Sequence, residues 1–181
     1  MNQQIQRLTA LALAFVLLFA PSTFADVSQL RADMERVFAK RGLKPAPHQP
    51  APHSQREILE AMNRERAAHG LGPLRLNAAL SEAAGDRIDD MFTKRYFAHV
   101  SPDGVQPFVW AARRGYRYRL IGENLAVGYG GTRVVDGWMK SPGHRENILQ
   151  RGFDEVGIAI AAGAPQRGYK GPTVVAMYGR R

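Results

Sequence analysis

Three side chains of this chain could do chemistry together: His99, Glu123 and His144. His99 lies in F-A-H-V-S-P-D-G, Glu123 in G-E-N-L-A, and His144 in W-M-K-S-P-G-H-R-E-N-I-L. Each has a Gly or Pro close by, which places it in a turn and suggests a site rather than a core. Two neutral imidazoles and a carboxylate suit Zn²⁺ or a similar divalent ion, and three protein ligands plus water would make an open, catalytic-type site. The separations of 24 and 21 residues are not a metal signature in themselves. The competing reading is a hydrogen-bonded polar cluster that fixes the loops, with Glu123 orienting a histidine.

Other chemistries are weaker. Ser101 or Ser141 could be written into a triad with a histidine and Glu123, yet no G-x-S-x-G elbow is present. Asp89 and Asp90 are adjacent on an expected helix and so point apart, and Glu123 has no evident second carboxylate for glycosidase work. His69 falls at a helix C-terminus, where a cation meets the dipole favourably. Trp110 and Trp138 fall on apolar faces and read as core. Arg145 is an anion contact for a cleft, and Asn147 a turn or helix-start hydrogen bonder.

Helices and strands must carry these residues. Ser54-Gln55-Arg56-Glu57 reads as a capping box, followed by Ile58, Leu59 and Met62, with Gly70 as the stop. Asn77 caps a second helix whose inner face is Leu80, Ala83, Ala84, Ile88 and Met91, ending near Lys94. Pro107 opens a short helix that stops at Gly115. An irregular stretch leads to Gly122-Glu123-Asn124. Thr132 caps a helix through Val134, Val135 and Trp138, and another short helix follows from His144. Val156, Ile158 and Ile160 alternate, as do Val174, Ala176 and Tyr178; these are strands, joined by a Gly- and Pro-rich loop over 162–172. Helices first and strands last give α+β.

The first 25 residues read as a signal peptide: Arg7, an apolar run of 13 residues from Leu8 to Ala20, then Pro21 and a cut after Ala25. That run is short for a membrane span, which needs about 20 residues, and no second apolar stretch follows. Residues 26–43 have the spacing of an amphipathic helix, and 44–53 form a Pro-rich linker. The folded domain is then 54–181. The chain has no cysteine, so an exported protein of this size points to a bacterial periplasm or exterior, with stability from packing alone. Beyond Ala25 it carries 24 Lys and Arg against 16 Asp and Glu, a net +8. Such a charge favours anionic envelope lipid or cell-wall polymer. R-R-G-Y-R-Y-R at 113–119 is the densest cluster, and no motif beside it argues for nucleic acid.

From about Ser54 to Gly179 the chain resembles the CAP superfamily (cysteine-rich secretory proteins, antigen 5 and pathogenesis-related 1; the SCP domain) in its bacterial branch. The marks, in order, are Asn63, Arg66, Gly70 and Leu74; Phe97-Ala98-His99 with Ser101-Pro102 and Gly104; Gly122-Glu123-Asn124; Trp138-Met139; Ser141-Pro142-Gly143-His144-Arg145; Asn147-Ile148-Leu149; and Phe153 with Val156-Gly157. The resemblance implies an α-β-α sandwich around a small, mainly antiparallel sheet, with a cleft holding a His/Glu tetrad. His99, Glu123 and His144 match three of its members. The fourth, a glutamate three residues after the motif tryptophan, is replaced by Ser141. The expected role is binding of an envelope ligand in a cleft of His99, Glu123, His144, Ser141 and Arg145. Metal-assisted hydrolysis of peptide, glycan or phosphodiester bonds by the same residues is the alternative.

Overall fold

The structure, a computed structural model, describes residues 52–181. The expected signal peptide, the amphipathic helix over 26–43 and nearly all of the Pro-rich linker lie outside these residues. The elements in order are α1 (Pro52–Ala68), β1 (Arg75–Leu76), α2 (Ala78–Lys94), α3 (Pro107–Arg113), β2 (Leu120–Val127), α4 (Arg133–Met139), α5 (Pro142–Leu149), β3 (Glu155–Ala161) and β4 (Thr173–Arg180). No helix among the described residues is long and apolar enough to cross a bilayer.

The strands form one sheet in the order β1-β3-β4-β2. The pairs β3–β4 and β2–β4 are antiparallel, and only the two-residue β1 runs parallel to its neighbour β3. Side chains of a strand alternate between faces, and here the alternation sorts the core into two layers. Val156, Ile158, Val174, Ala176 and Tyr178 pack with Ile58 and Met62 of α1, Val134, Val135 and Trp138 of α4, and Ile148 of α5. Ala159, Ala161, Val175 and Met177 pack with Leu80, Ala84, Ile88 and Met91 of α2 and with Trp110 of α3. The expected α-β-α sandwich is what the chain builds.

Local signals explain most boundaries. Asn77 takes an extended conformation, and its side chain accepts from the Leu80 amide at 3.1 Å, a cap worth about 1 kcal/mol. Gly70 has φ +67° after α1, and Leu71 N–H closes back on Arg66 O at 2.9 Å, so the glycine stop holds. Other expectations move. Helix α1 begins at Pro52, inside the expected linker, so Ser54 lies in the first turn and not ahead of it. Thr132 makes no capping hydrogen bond. Helix α5 starts at Pro142, two residues early, because proline suits a first helical turn.

A buried arginine locks the first layer. Arg66 is 2% exposed, and its guanidinium donates to the carbonyls of Gly72 (2.7 Å), Ile148 (2.8 Å), Gln150 (2.9 Å) and Phe153 (3.0 Å). Carbonyls at a helix C-terminus lack intrahelical partners, so this one side chain finishes α5 and ties it to α1. Burial lowers its pKa from the usual arginine value.

Candidate functional site

Glu123 does not sit in a turn. It lies in mid-strand in β2, opposite Met177 of β4. The strand was hidden because L-I-G-E-N-L-A-V carries polar residues on both faces. Glu123 points toward the α2 layer and is buried; Asn124 points toward the α5 layer and is fully buried. Strand β2 pairs with β4 alone among the described strands, which makes it an edge. An open edge needs cover, and the helices supply it: Trp138 Nε1–H donates to Leu125 O and Asn147 Nδ2–H to Glu123 O, each at 3.1 Å.

At this edge the two layers bring their histidines together. His99 arrives on the loop after α2, and His144 lies in the first turn of α5. Their ring centroids are 6.4 Å apart and tilted by 46°. His99 Nδ1 is 2.8 Å from Glu123 Oε1. A carboxylate only accepts, so Nδ1 carries the proton and Nε2 is left for a ligand or a proton. The His99 side chain is 52% exposed while Glu123 beneath it is 3% exposed. No described residue hydrogen-bonds the His144 ring. Burial, and secondarily His99, hold the His144 imidazole below its ordinary range.

A residue that sequence reasoning passed over holds this arrangement. Arg87 of α2 is fully buried. Its Nε–H donates to Glu123 Oε2 at 3.2 Å, and Nη2 donates to His99 O at 2.8 Å and to Ala98 O. Its Nη1 donates to Tyr96 Oη, and Tyr96 in turn donates to Asp90. Desolvation and the bond to Asp90 push the Tyr96 phenol well above its ordinary pKa. Asp90 also takes Lys94 Nζ at 2.6 Å, and Lys94 reaches on to Asp103. A buried charge needs partners of this kind. One arginine therefore fixes both the carboxylate and the loop carrying His99. The available signal was an arginine one helical turn after Ala83, on the stripe already read as apolar.

The other half of the pair is fixed by amides. Asn124 Nδ2 donates to His144 O (3.0 Å) and to Tyr178 Oη (3.1 Å), and Asn124 Oδ1 accepts from Asn147 at 2.9 Å. Asn147 is thus a bridge from α5 to β2, not a helix-start bonder. Gly122 is required beside them: a Cβ there would meet Asn147 Oδ1 and Phe153 Cζ at 2.9 Å.

Other residues singled out in the sequence have the following places and contacts. Arg145 reaches the exit of α1, with Nη2 3.3 Å from His69 Nε2. Ser141 is the residue before α5 and makes no capping hydrogen bond. Ser101 Oγ accepts from the amides of Asp103 (3.2 Å) and Val105 (3.1 Å), which makes it a loop brace. Asp90 is spent on Tyr96 and Lys94. Neither histidine lines the hollow formed by Glu57, Glu60, Arg64 and residues 130–133 or the one formed by Gly115, Arg117, Tyr118, Arg119 and Arg181.

The expected His99, Glu123 and His144 metal set does not fit. Both Glu123 oxygens are engaged, one by His99 and one by Arg87, and no group of three His, Asp or Glu among the described residues is placed to hold an ion. Ser141 supplies no carboxylate in compensation. What remains is a carboxylate-oriented imidazole facing a second imidazole held neutral by burial.

The cysteine-rich secretory protein (CAP) family model matches residues 59–178. The Bacillus subtilis protein YkwD is 39% identical over 105 residues, 58% of this chain and 41% of its own. The B. subtilis membrane protein YlbC is 31% identical over 108 residues, 59% of this chain and 31% of its own. This chain thus spans well under half the length of those relatives. An extracellular SCP-domain protein of Bacillus anthracis aligns at TM-score 0.60 with 24% identity, over 70% of this chain and 40% of that one. An outer surface protein of Borrelia burgdorferi aligns at 0.64 with 21% identity, over 74% and 96%. These two structural likenesses speak for the fold alone.

Proposed function

Since the chain belongs to the cysteine-rich secretory protein (CAP) family, we propose that it is an exported binding module that takes a polar group of an envelope component at the His99–His144 pair. The leader-like residues 1–25 support the exported setting. The observation that carries the binding reading is a half-exposed His99 whose ring is fixed from beneath by the buried Arg87–Glu123 pair. Such preorganisation lowers the ordering cost of binding.

The test is to follow the His99 and His144 ring signals by NMR while adding solubilised cell-wall glycan or, separately, phosphatidylglycerol vesicles. Both rings should shift with one of the two, and a His99→Ala/His144→Ala variant should lose that binding. Rings that respond to neither would remove the reading.

One observation favours a second reading. A carboxylate on Nδ1 leaves Nε2 poised as a general base, which hydrolysis of a peptide, glycan or phosphodiester bond would use. Turnover of any such substrate, abolished by His99→Gln while the fold survives, would establish it.

A further inference from the structure

The arginine run at 113–119 is divided by the fold. Arg114 is bidentate on Asp86, with Nε 2.5 Å from Oδ2, and contacts Glu82 at 3.2 Å. Arg113 lies over the Trp110 ring at 4.8 Å. These two serve α2 and α3. The remainder of the run, Arg117, Tyr118 and Arg119, joins Gly115 and Arg181 around a separate hollow of about 350 Å³. It stands where the chain enters β2 and leaves β4; the Arg119 amide donates to Arg180 O at 2.7 Å across that junction. Along the strand it is roughly 13 Å from Glu123, at about 3.3 Å per residue.

We propose that this hollow is a second binding site, for phosphate groups carried on a sugar or polyol. Three arginines, Arg117, Arg119 and Arg181, are among the residues lining it, and none of the lining residues is acidic. Arginine presents a planar fork that matches phosphate with two parallel hydrogen bonds. One wall is already set: the Arg181 guanidinium lies over the buried Tyr116 ring at 5.1 Å, with Nε 3.6 Å from Glu155. Tyr118 supplies an aromatic surface for a sugar or polyol carbon face. The volume falls at the low end of small-ligand sites, which run from about 300 to 1,000 Å³. The shape favours a soluble phosphorylated unit over a lipid surface. None of the strongly exposed large apolar residues, Leu76, Val100, Phe108, Tyr129 and Tyr169, lines the hollow, so nothing there would enter a bilayer. The site shares only the exported setting with the histidine pair.

Calorimetric titration tests this with the protein and three probes: a glycerol phosphate oligomer, inorganic phosphate, and phosphatidylglycerol vesicles. The oligomer should bind best, more weakly as salt rises. Arg117→Gln/Arg119→Gln should weaken it by about tenfold or more, with unchanged melting as the folding control. Arg117→Lys/Arg119→Lys should still lose several-fold, because the charge stays and the fork goes. Failure of the oligomer to bind, or binding indifferent to Arg117→Gln/Arg119→Gln, overturns the site. Vesicle binding without oligomer binding assigns the surface to lipid and also overturns it. A loss in His99→Gln equal to that in the arginine variant would move the phosphate to the histidine pair. Silence of the histidine rings toward every probe removes the proposed function and leaves this site standing.

Discussion

Arg87→Met removes the guanidinium under the candidate site while keeping most of its volume. The wild-type side chain is fully buried and donates to Glu123 Oε2, to Tyr96 Oη and to the carbonyls of Ala98 and His99. Its loss leaves a buried carboxylate oxygen and two carbonyls without those donors, at about 1–3 kcal/mol for each unsatisfied group. Partial relaxation brings the whole to about 3–5 kcal/mol, the usual cost of breaking a buried pair on one side. In a domain of this size that lowers the melting temperature by roughly 10–20 °C. Urea denaturation at low temperature is the assay, read as a fall in midpoint at constant slope. The informative comparison adds Glu123→Gln. If Arg87 serves chiefly to neutralise Glu123, the double variant should lose about 1–3 kcal/mol less than the sum of the singles. In Arg87→Met the His99 ring should also lose its fixed tautomer in NMR spectra. A single-variant cost below about 1 kcal/mol, or full additivity, would refute the reasoning.

Gly157→Ala should cost about 3 kcal/mol or more, since its Cβ would stand 2.0 Å from the Leu80 carbonyl carbon and 2.1 Å from the Ser81 amide nitrogen, backbone that cannot turn aside; a wild-type urea midpoint would contradict this. Asn124→Ala should cost about 2–3 kcal/mol by stranding its partners on Tyr178, Asn147 and His144, and should blur the His144 ring signals. Arg95→Gly should stabilise by up to about 1 kcal/mol, because Arg95 ends α2 at φ 57° and is exposed. His144 is held below its unfolded value, near 6.5, first by burial and then by His99. Its contribution is therefore present above about pH 6.5 and lost as pH falls through the lower folded value. His144→Gln should flatten the fall in urea midpoint below that pH, and His99→Gln should raise the His144 pKa only part of the way, as followed by NMR.

Elements with a strong local signature were legible in the sequence. Asn77, Gly70 and the apolar face of α2 act within one or two turns, so their pattern survives without tertiary knowledge. The two alternating runs that form β3 and β4 were equally plain, because both faces of these strands are buried in ways that keep the period. Strand β2 was not. Its middle holds Glu123 and Asn124, one facing each layer, and polar residues on both faces erase the period that marks a strand. The two-residue β1 had no pattern to show. Helix starts shifted where proline, which suits a first turn, stood ahead of the expected cap.

The candidate site divides the same way. Sequence determined the residue types: two histidines, a glutamate, and a family pattern in which Ser141 replaces a carboxylate. Which partners those residues take was decided only in three dimensions. Arg87 lies 36 positions from Glu123, and Asn124 23 from Asn147. Such pairings arise when α2 and α5 settle on opposite faces of an edge strand, a contact that no local spacing encodes. The same packing turned Arg145 toward His69 and committed both Glu123 oxygens to protein donors. It also split one run of arginines between two helices and a hollow. Burial explains the pattern: a buried charge must find a partner wherever the fold can supply one, so its role is set by tertiary neighbours and not by its place in the chain.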